Sequence, residues 1–404
     1  VGMIFLPSQE RSPHAHAQSC QIIEQTLKEL GLPLLIWRNP PIDTAVLGTR
    51  ARATAPSIAQ LLLTRPQHLD LKQYERELYF ARRQIERRLQ ASNINDCYFV
   101  SLSRSTIIYK GLLAPQELAR FYLDLADPRY ASAFAVFHQR YSTNTFPSWP
   151  VAQPMRLLAH NGEINTLLGN RNWMLAREGT LSSELWGDRL PELLPIIQQG
   201  SSDSGQLDNV LELLTLSGRD LLQSMHMLIP PAWEQNPELD SAQRAECEYH
   251  AGMIEPWDGP AALAFSDGRI VGAALDRNGL RPARYTLTSH GLLILASEAG
   301  VVPCEPHEVV EKGRLGPGEM IAVDLKYGVL LRDSEIKASL AQRQPYQQWL
   351  ETHLVRPFNP VSVGADLSRP PPIDRPLPPI DSDTLFQRQQ LFGYTHEDIE
   401  FVLR

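Results

Sequence analysis

The sequence is poor in several features that define large protein classes. Its 404 residues include four cysteines, Cys20, Cys97, Cys247 and Cys304. None of their spacings is that of a zinc finger, and so sparse a set excludes a disulfide-stapled scaffold. A reducing, cytosol-like setting fits this usage. No apolar run reaches the ~18 residues that a membrane-spanning helix needs. Basic charge is not in excess: 38 Lys+Arg against 46 Asp+Glu leave −8, which excludes a whole-chain basic field for nucleic acid. No glycine-rich loop follows a strand-like segment, so no dinucleotide or P-loop site is expected. The chain has no initiator methionine. It opens Val1-Gly2-Met3-Ile4-Phe5-Leu6, which reads as a strand cut from a longer protein, and a leader upstream stays open.

What is present suits one large domain or two ordinary ones, with 43% hydrophobic residues for a core. Helical periodicity runs through residues 18–30 (Ile22, Ile23, Leu27, Leu30, then Gly31) and again through 68–90. In the second helix Leu71, Tyr74, Leu78, Ile85 and Leu89 form the expected buried stripe. Arg82, Arg83, Arg87 and Arg88 are expected on a solvated face near its C-terminal end, where cations suit the helix dipole. Leu34–Trp37 reads as a strand. Cys97–Leu102 and Thr106–Tyr109 read as a hairpin, and Ser132–Phe137 reads as a buried strand. A strand at Arg156–Ala159 leads into Asn161-Gly162 and a helix over Asn165–Arg177. The next helix starts near Asp203 and Ser204, with Leu207, Val210, Leu211 and Leu214 as its apolar face and Gly218 as its stop.

From Pro260 the pattern is β: Ala261–Phe265, Arg269–Leu275, Arg284–Thr288, Leu292–Ala296, Glu319–Leu325 and Val329–Leu331. Asp267-Gly268, Asn278-Gly279 and His290-Gly291 supply turns. Strands grouped after segregated helices argue α+β rather than βαβ winding. Helical pattern returns from Glu335 to Leu354. Residues 357–379 then hold eight prolines, an extended spacer, and Ser382–Arg404 resumes a helical pattern.

Three polar clusters fall where strands end or helices begin. In His138-Gln139-Arg140-Tyr141-Ser142-Thr143-Asn144, Arg140 can grip a carboxylate with a bidentate pair, and the loop after it has the composition of a lid. In His160-Asn161-Gly162-Glu163, the Asn amide beside a Gly N–H offers two donors suited to an oxyanion, although Asn-Gly is more often a simple turn. In Ser202-Asp203-Ser204, Asp203 can cap a helix or hold an ammonium. Together they describe a pocket for a zwitterionic amino acid whose side-chain carbonyl becomes an oxyanion. A nucleophile is lacking: Cys20 and Cys97 have no neighbouring base and read as core thiols. His14-Ala15-His16 is the nearest pattern to a metal cluster. Positions i and i+2 do not share a helix face, so no metal site is expected.

These segments carry a resemblance. Phe137–Thr145, Leu158–Thr166, Ser202–Ser204 with Leu207-Asp208-Asn209, Glu255–Ala262 and Leu275–Pro282 closely resemble, in order, the large chains of the glutamate synthase family. The resemblance implies a class II glutamine amidotransferase domain, a four-layer αββα sandwich of the N-terminal-nucleophile type. In that family an N-terminal Cys attacks the glutamine amide with its own α-amino group as base. Position by position, Asn161 and Gly162 match the oxyanion hole, Arg140 the carboxylate-binding arginine and Asp203 the acid on the α-ammonium. Phe137 and Thr143 line the pocket. The Asp276–Arg281 turn matches a segment read as structural.

The nucleophilic Cys and an early pocket arginine are expected upstream of Val1, so the domain is expected to be truncated there and inactive alone. Residues 1–352 are expected to be the amidotransferase domain. Residues 353–404 are expected to be a linker and the approach to a central domain. No cofactor is expected within this stretch. The resemblance places FMN and an iron–sulfur cluster further on, with ferredoxin or a pyridine-nucleotide-oxidising small subunit as electron donor, in the cytoplasm or a plastid stroma. The amidotransferase of another synthase, or a non-catalytic glutamine-binding module, stays open as an alternative.

Overall fold

A computed structural model describes residues 1–140, 146–198, 200–237, 239–355, 384–385 and 389. The chain divides into a unit Val1–His353 and a unit Leu354–Arg404. The proline-rich spacer, and the helix expected over Ser382–Arg404 apart from residues 384, 385 and 389, lie outside the described residues.

The first unit opens with strand β1 (Gly2–Leu6), helix α1 (Pro13–Glu29), β2 (Leu34–Arg38), a short α2 (Thr49–Ala53), β3 (Ser57–Leu63), helix α3 (Leu71–Ala91) and β4 (Tyr98–Leu102). The strands form an antiparallel sheet in the order β2-β3-β1-β4. β1 is central, which explains its uninterrupted apolar sequence: both faces are buried. Ile4 and Leu6 pack with Ile23, Leu27, Leu78 and Ile85 of α1 and α3. Met3 and Phe5 point the other way, toward Phe121 and Trp149. α3 begins at a capping box. The Gln73 N–H donates to Asp70 at 2.7 Å, and the Asp70 N–H donates to the Gln73 side chain at 2.8 Å. Leu71 lies at the first helical position, ahead of the packed turns, and is exposed rather than part of the buried stripe.

Thr106–Tyr109 does not form the expected second strand of a hairpin. Its backbone donors go to serine side chains instead. Ser105 and Thr106 N–H donate to Ser103 Oγ at 3.0 and 3.4 Å, and Ile108 N–H to Ser101 Oγ at 3.3 Å. Ser132–Phe137 is likewise irregular and mostly exposed. Only Phe134 and Val136 are half-buried, too little apolar contact to hold a buried strand.

The chain continues through α4 (Leu118–Phe121), β5 (Leu158–Gly162), α5 (Leu167–Glu178), α6 (Asp203–Leu216), α7 (Leu221–Leu228) and α8 (Ser241–Ala251). A β-rich part follows: β6 (Ala261–Ser266), β7 (Ile270–Leu275), β8 (Arg284–Thr288), β9 (Leu293–Ala296), β10 (Val309–Arg314), β11 (Met320–Asp324) and β12 (Val329–Leu331). Helices α9 (Asp333–Ala341) and α10 (Tyr346–His353) replace the single helix expected after Glu335. Antiparallel pairing gives one sheet β12-β11-β7-β6-β5 and a smaller sheet β10-β8-β9. One face of the five-stranded sheet, with Leu158, Leu263, Phe265, Ala274 and Ala322, packs on α6, α7 and α9 through Val210, Leu211, Met225, Leu228, Ile336 and Leu340. The opposite face meets Ala283 and Leu315. The fold is α+β: the long helices α1 and α3 cover one face of the four-stranded sheet, the short α2 and α4 meet its other face, and α6, α7 and α9 cover one face of the five-stranded sheet.

Candidate active site at the end of strand β5

β5 is the edge strand of its sheet, paired to β6 with His160 opposite Leu263, Asn161 opposite Ala262 and Gly162 opposite Ala261. Asn161-Gly162 is therefore extended strand, not a turn. Gly162 has φ 155°, and a Cβ there would stand 1.8 Å from the Pro260 carbonyl oxygen. Gly259 (φ 147°) approaches the Glu163 carbonyl just as closely. Two glycines thus let the strand exit run backbone to backbone against residues 258–260, and the Glu163 N–H donates to Pro260 O at 3.1 Å. On the free edge of β5 the Gln153 amide acts as a substitute strand. It accepts from His160 N–H at 2.6 Å and donates to His160 O at 2.9 Å.

The entry to β5 is held by a single carboxylate. Asp208, 1% exposed on α6, accepts from the backbone N–H groups of Arg156, Leu157 and Leu158 at 3.1, 2.8 and 3.2 Å. Burial, reinforced by nearby Glu212 and opposed by Arg156, pushes the Asp208 carboxyl up to about 6.

The exit of β5 meets the N-terminus of α6. Ser202, not Asp203, is the N-cap: its Oγ accepts from Gly205 N–H at 3.2 Å. This leaves Asp203 at the first helical position. Its carboxylate accepts from Ile164 N–H at 3.2 Å and from Ser204 N–H at 2.7 Å. His160 Nδ1 lies 3.0 Å from Ser204 Oγ and 3.8 Å from Asp203 Oδ2, while its buried Nε2 has no hydrogen-bond partner among the described residues. Burial holds the His160 imidazole below its ordinary value. Asp203 opposes this shift, and His138 and Arg281 add to it. Two of the three polar clusters, at His160–Glu163 and Ser202–Ser204, are thereby in direct contact. The third reaches them through His138, whose Nδ1 accepts from the Arg140 N–H at 3.2 Å and whose imidazole burial also holds low.

The remaining expected residues are less fixed. Phe137 is 61% exposed and Arg140 is exposed. Thr143 lies outside the described residues. The cysteines stand apart from these contacts. Cys20 and Cys97 pack beside the core of the first sheet, Cys247 is on α8 and Cys304 follows β9. Burial pushes the Cys20, Cys97 and Cys247 thiols up, the reverse of what an attacking thiolate needs.

Sequence reading missed the layer beneath the site. Arg82 and Arg83 are 1% and 4% exposed, so the α3 arginines are not all on a solvated face. Arg82 pairs with Glu212 and with Glu86 (2.9 Å), Arg83 pairs with Glu86 (2.8 Å), and Arg156 reaches Glu86 at 3.4 Å and Phe99 O at 3.1 Å. Burial works against the Glu86 charge, but Arg82, Arg83 and Arg156 outweigh it and hold the carboxyl at about 2. The layer ties α3, β4, α6 and the start of β5 together. A signal existed in the sequence: Asp208 and Glu212 interrupt an apolar helix at i, i+4 spacing, and buried acids need cationic or N–H partners.

Residues 1–349 match the family described as glutamine amidotransferases class-II. The chain is 45% identical over 408 residues to a chloroplastic ferredoxin-dependent glutamate synthase of Oryza sativa subsp. japonica, covering 100% of this chain and 24% of that protein. It is 44% identical over 406 residues to the glutamate synthase (NADPH) large chain of Azospirillum brasilense, covering 100% and 26%. For the glutamate synthase (NADPH) large chain of Bacillus subtilis (strain 168) the identity is 43% over 405 residues, covering 100% and 26%. The chain thus spans about a quarter of the length of these relatives. Among solved structures, a glutamine aminotransferase class-II domain protein from Silicibacter pomeroyi aligns at TM-score 0.24 and 20% identity, over 42% of this chain and 63% of that one. Glutamine phosphoribosylpyrophosphate amidotransferase from B. subtilis aligns at TM-score 0.26 and 20% identity, over 47% and 32%.

Proposed function

Because the chain belongs to the class-II glutamine amidotransferases, we propose that the β5–α6 junction binds L-glutamine and stabilises the oxyanion formed when its side-chain amide is attacked. The observation that carries this reading is the direct contact between Asp203 and the segment that presents Asn161 and Gly162, through the 3.2 Å hydrogen bond from Ile164 N–H. A single rigid unit then offers a negative charge for the α-ammonium and, a few residues away, two amide donors for the carbonyl oxygen. Arg140 takes the α-carboxylate, and Phe137 and Thr143 line the pocket. The attacking thiol is none of Cys20, Cys97, Cys247 and Cys304. It comes instead from the N-terminal cysteine that the resemblance implies. Attack on the amide carbon places negative charge on the oxygen facing Asn161 and Gly162. Collapse of the tetrahedral species expels ammonia, and hydrolysis of the resulting thioester gives glutamate.

For the longer protein we propose glutamate synthase activity, with the ammonia passed through the protein and transferred reductively to 2-oxoglutarate in a downstream FMN-bearing barrel. Residues 1–352 are the amidotransferase domain in this proposal, and 353–404 lead into the next domain. The scattered cysteines of this chain do not fit an iron–sulfur cluster, and the proposal places both that cluster and FMN in the remainder of the protein. Relatives are named for ferredoxin or for NADPH, and either donor suits this domain. Among the described residues no helix is long and apolar enough to cross a membrane. A cytoplasmic or plastid-stromal site completes the proposal.

Asp203→Asn in the intact enzyme tests the ammonium role. The amide still accepts from Ile164 N–H but carries no charge. KM for glutamine should rise about 10- to 100-fold with little change in kcat, as expected for losing a charge-assisted contact. An unchanged KM would return Asp203 to a structural role at the helix start.

A further inference from the structure

Away from the junction, α7 and α8 bring together a buried group that the glutamine chemistry does not use. His226 on α7 and Glu246, Cys247 and His250 on α8 are each 2–5% exposed. His226 Nε2 lies 3.0 Å from Glu246 Oε2. Cys247 Sγ lies 3.6 Å from His226 Nε2 and 3.6 Å from Glu246 Oε2. Ligand distances of about 2.0 Å for N and O and about 2.3 Å for S around a tetrahedral Zn²⁺ require N···O near 3.3 Å and N···S and O···S near 3.5 Å. The three atoms therefore already stand close to the corners of one face of such a tetrahedron.

From this geometry we infer that His226, Glu246 and Cys247 form a binding site for a divalent cation of borderline softness, with Zn²⁺ the best match to an imidazole, carboxylate and thiolate donor set. Two further observations point the same way. His250 Nδ1 lies 2.9 Å from Glu246 Oε1, the oxygen that does not face the cluster, yet neither atom has a hydrogen-bond partner among the described residues, which leaves both free to realign once an ion fixes the carboxylate. His226, Cys247 and His250 also line a cavity of about 500 Å³ with Pro230, Trp233 and Arg277, which leaves room for water or a small anion at the fourth position. Two cations influence Cys247, and both are engaged elsewhere. Lys337 donates to Asp333 and Gly318 O, and Arg244 to the carbonyls of Trp233, Glu234 and Asn236. On binding, the thiol proton passes to solvent and the thiolate, carboxylate and neutral imidazole fill three positions. The ion would fasten α8 to α7, on the helical layer that backs the five-stranded sheet.

The test uses the full 404-residue chain stripped of metal with a chelator. Titration with Co²⁺ should give one equivalent of binding with a thiolate-to-cobalt charge-transfer band and tetrahedral visible bands. Zn²⁺ should abolish them stoichiometrically. Cys247→Ser should lose the charge-transfer band and weaken Zn²⁺ binding more than about 100-fold, and His250→Ala should weaken it about 10- to 100-fold. Cys304→Ser, on a distant loop, should change neither. Should the variants fail to fold, X-ray absorption on the zinc-loaded wild-type chain decides: one sulfur and two or three N/O scatterers are expected. An all-N/O shell, or no retained metal, would overturn the site and leave a buried group of packed His, Glu and Cys side chains. None of these readouts depends on glutamine turnover.

Discussion

At the β5–α6 junction the backbone donors at both ends of the strand have partners, although the buried His160 Nε2, Arg156 Nε and Gln206 Oε1 have none among the described residues. Asp208 holds three backbone N–H groups, Gln153 brackets His160, and Asp203 accepts from Ile164 and Ser204. Along residues 131–140 the opposite holds. The backbone is irregular, Phe137 and Arg140 are exposed, and His138 bears electrostatically on the buried His160 of the junction. The proposed function gives both regions one substrate, yet only the first is held by the fold's own hydrogen bonds. The difference teaches a division of labour. Oxyanion stabilisation demands donors fixed before reaction, and the proposed role of Asn161 and Gly162 places them on a strand anchored to a buried charge layer. Gripping a carboxylate tolerates an adjustable arm whose ordering the substrate itself can drive.

The largest effect that would break this contrast is at Asp208. Asp208→Ala leaves three buried N–H groups without an acceptor and should cost about 3–5 kcal/mol in urea unfolding. A loss below about 1 kcal/mol would mean that the strand entry is not held from α6. Next comes Glu86. Its carboxyl is held at about 2 against an ordinary 4.5, so the folded state favours the charged form. Its contribution is full above about 4.5 and is lost as pH falls toward 2. Glu86→Gln should therefore be less stable than the parent by about 2–3 kcal/mol near neutral pH, with the two curves converging in acid. Parallel curves across that range would remove the charge layer from the account. Asp208 runs the other way: its carboxyl sits at about 6 against 3.8, so its contribution is present below about 3.8 and lost as pH rises through 6. The smallest effect belongs to the exposed arm. Arg140→Ala should leave the thermal midpoint within about 1 °C, as surface changes do. It should raise KM for glutamine about 10- to 100-fold. A large fall in stability would show that the arm is part of the core.

The sequence made much of this arrangement readable. Turn dipeptides and alternation located most strands of the five-stranded sheet, because Asp267-Gly268 and Asn278-Gly279 punctuate them and one periodic face meets the helices. The apolar face of α6 and its N-terminal polar residues located the helix beneath the site. Three kinds of feature were not readable. Ser101 and Ser103 divert the backbone donors of 105–108, which period-2 patterning cannot show. The extended conformation of Asn161-Gly162 depends on the Gly259–Pro260 backbone, nearly a hundred residues away in sequence. The burial of Arg82 depends on Glu212 of α6 and Glu86 together, and that of Arg83 on Glu86 and the carbonyls of Leu193 and Pro195. A single helix read alone shows only an arginine-rich face, and the same holds for the His226–Glu246–Cys247 group shared between α7 and α8.

In the proposed chemistry the exposed Asn161 amide, on a strand paired to β6 and bracketed by Gln153, stabilises the oxyanion. The direct measurement is kcat for glutamine hydrolysis by the intact enzyme carrying Asn161→Ala, beside its thermal midpoint. Turnover should fall about 10²- to 10³-fold with the midpoint unchanged, the signature of losing one preorganised donor. Undiminished turnover by a folded variant would contradict the account.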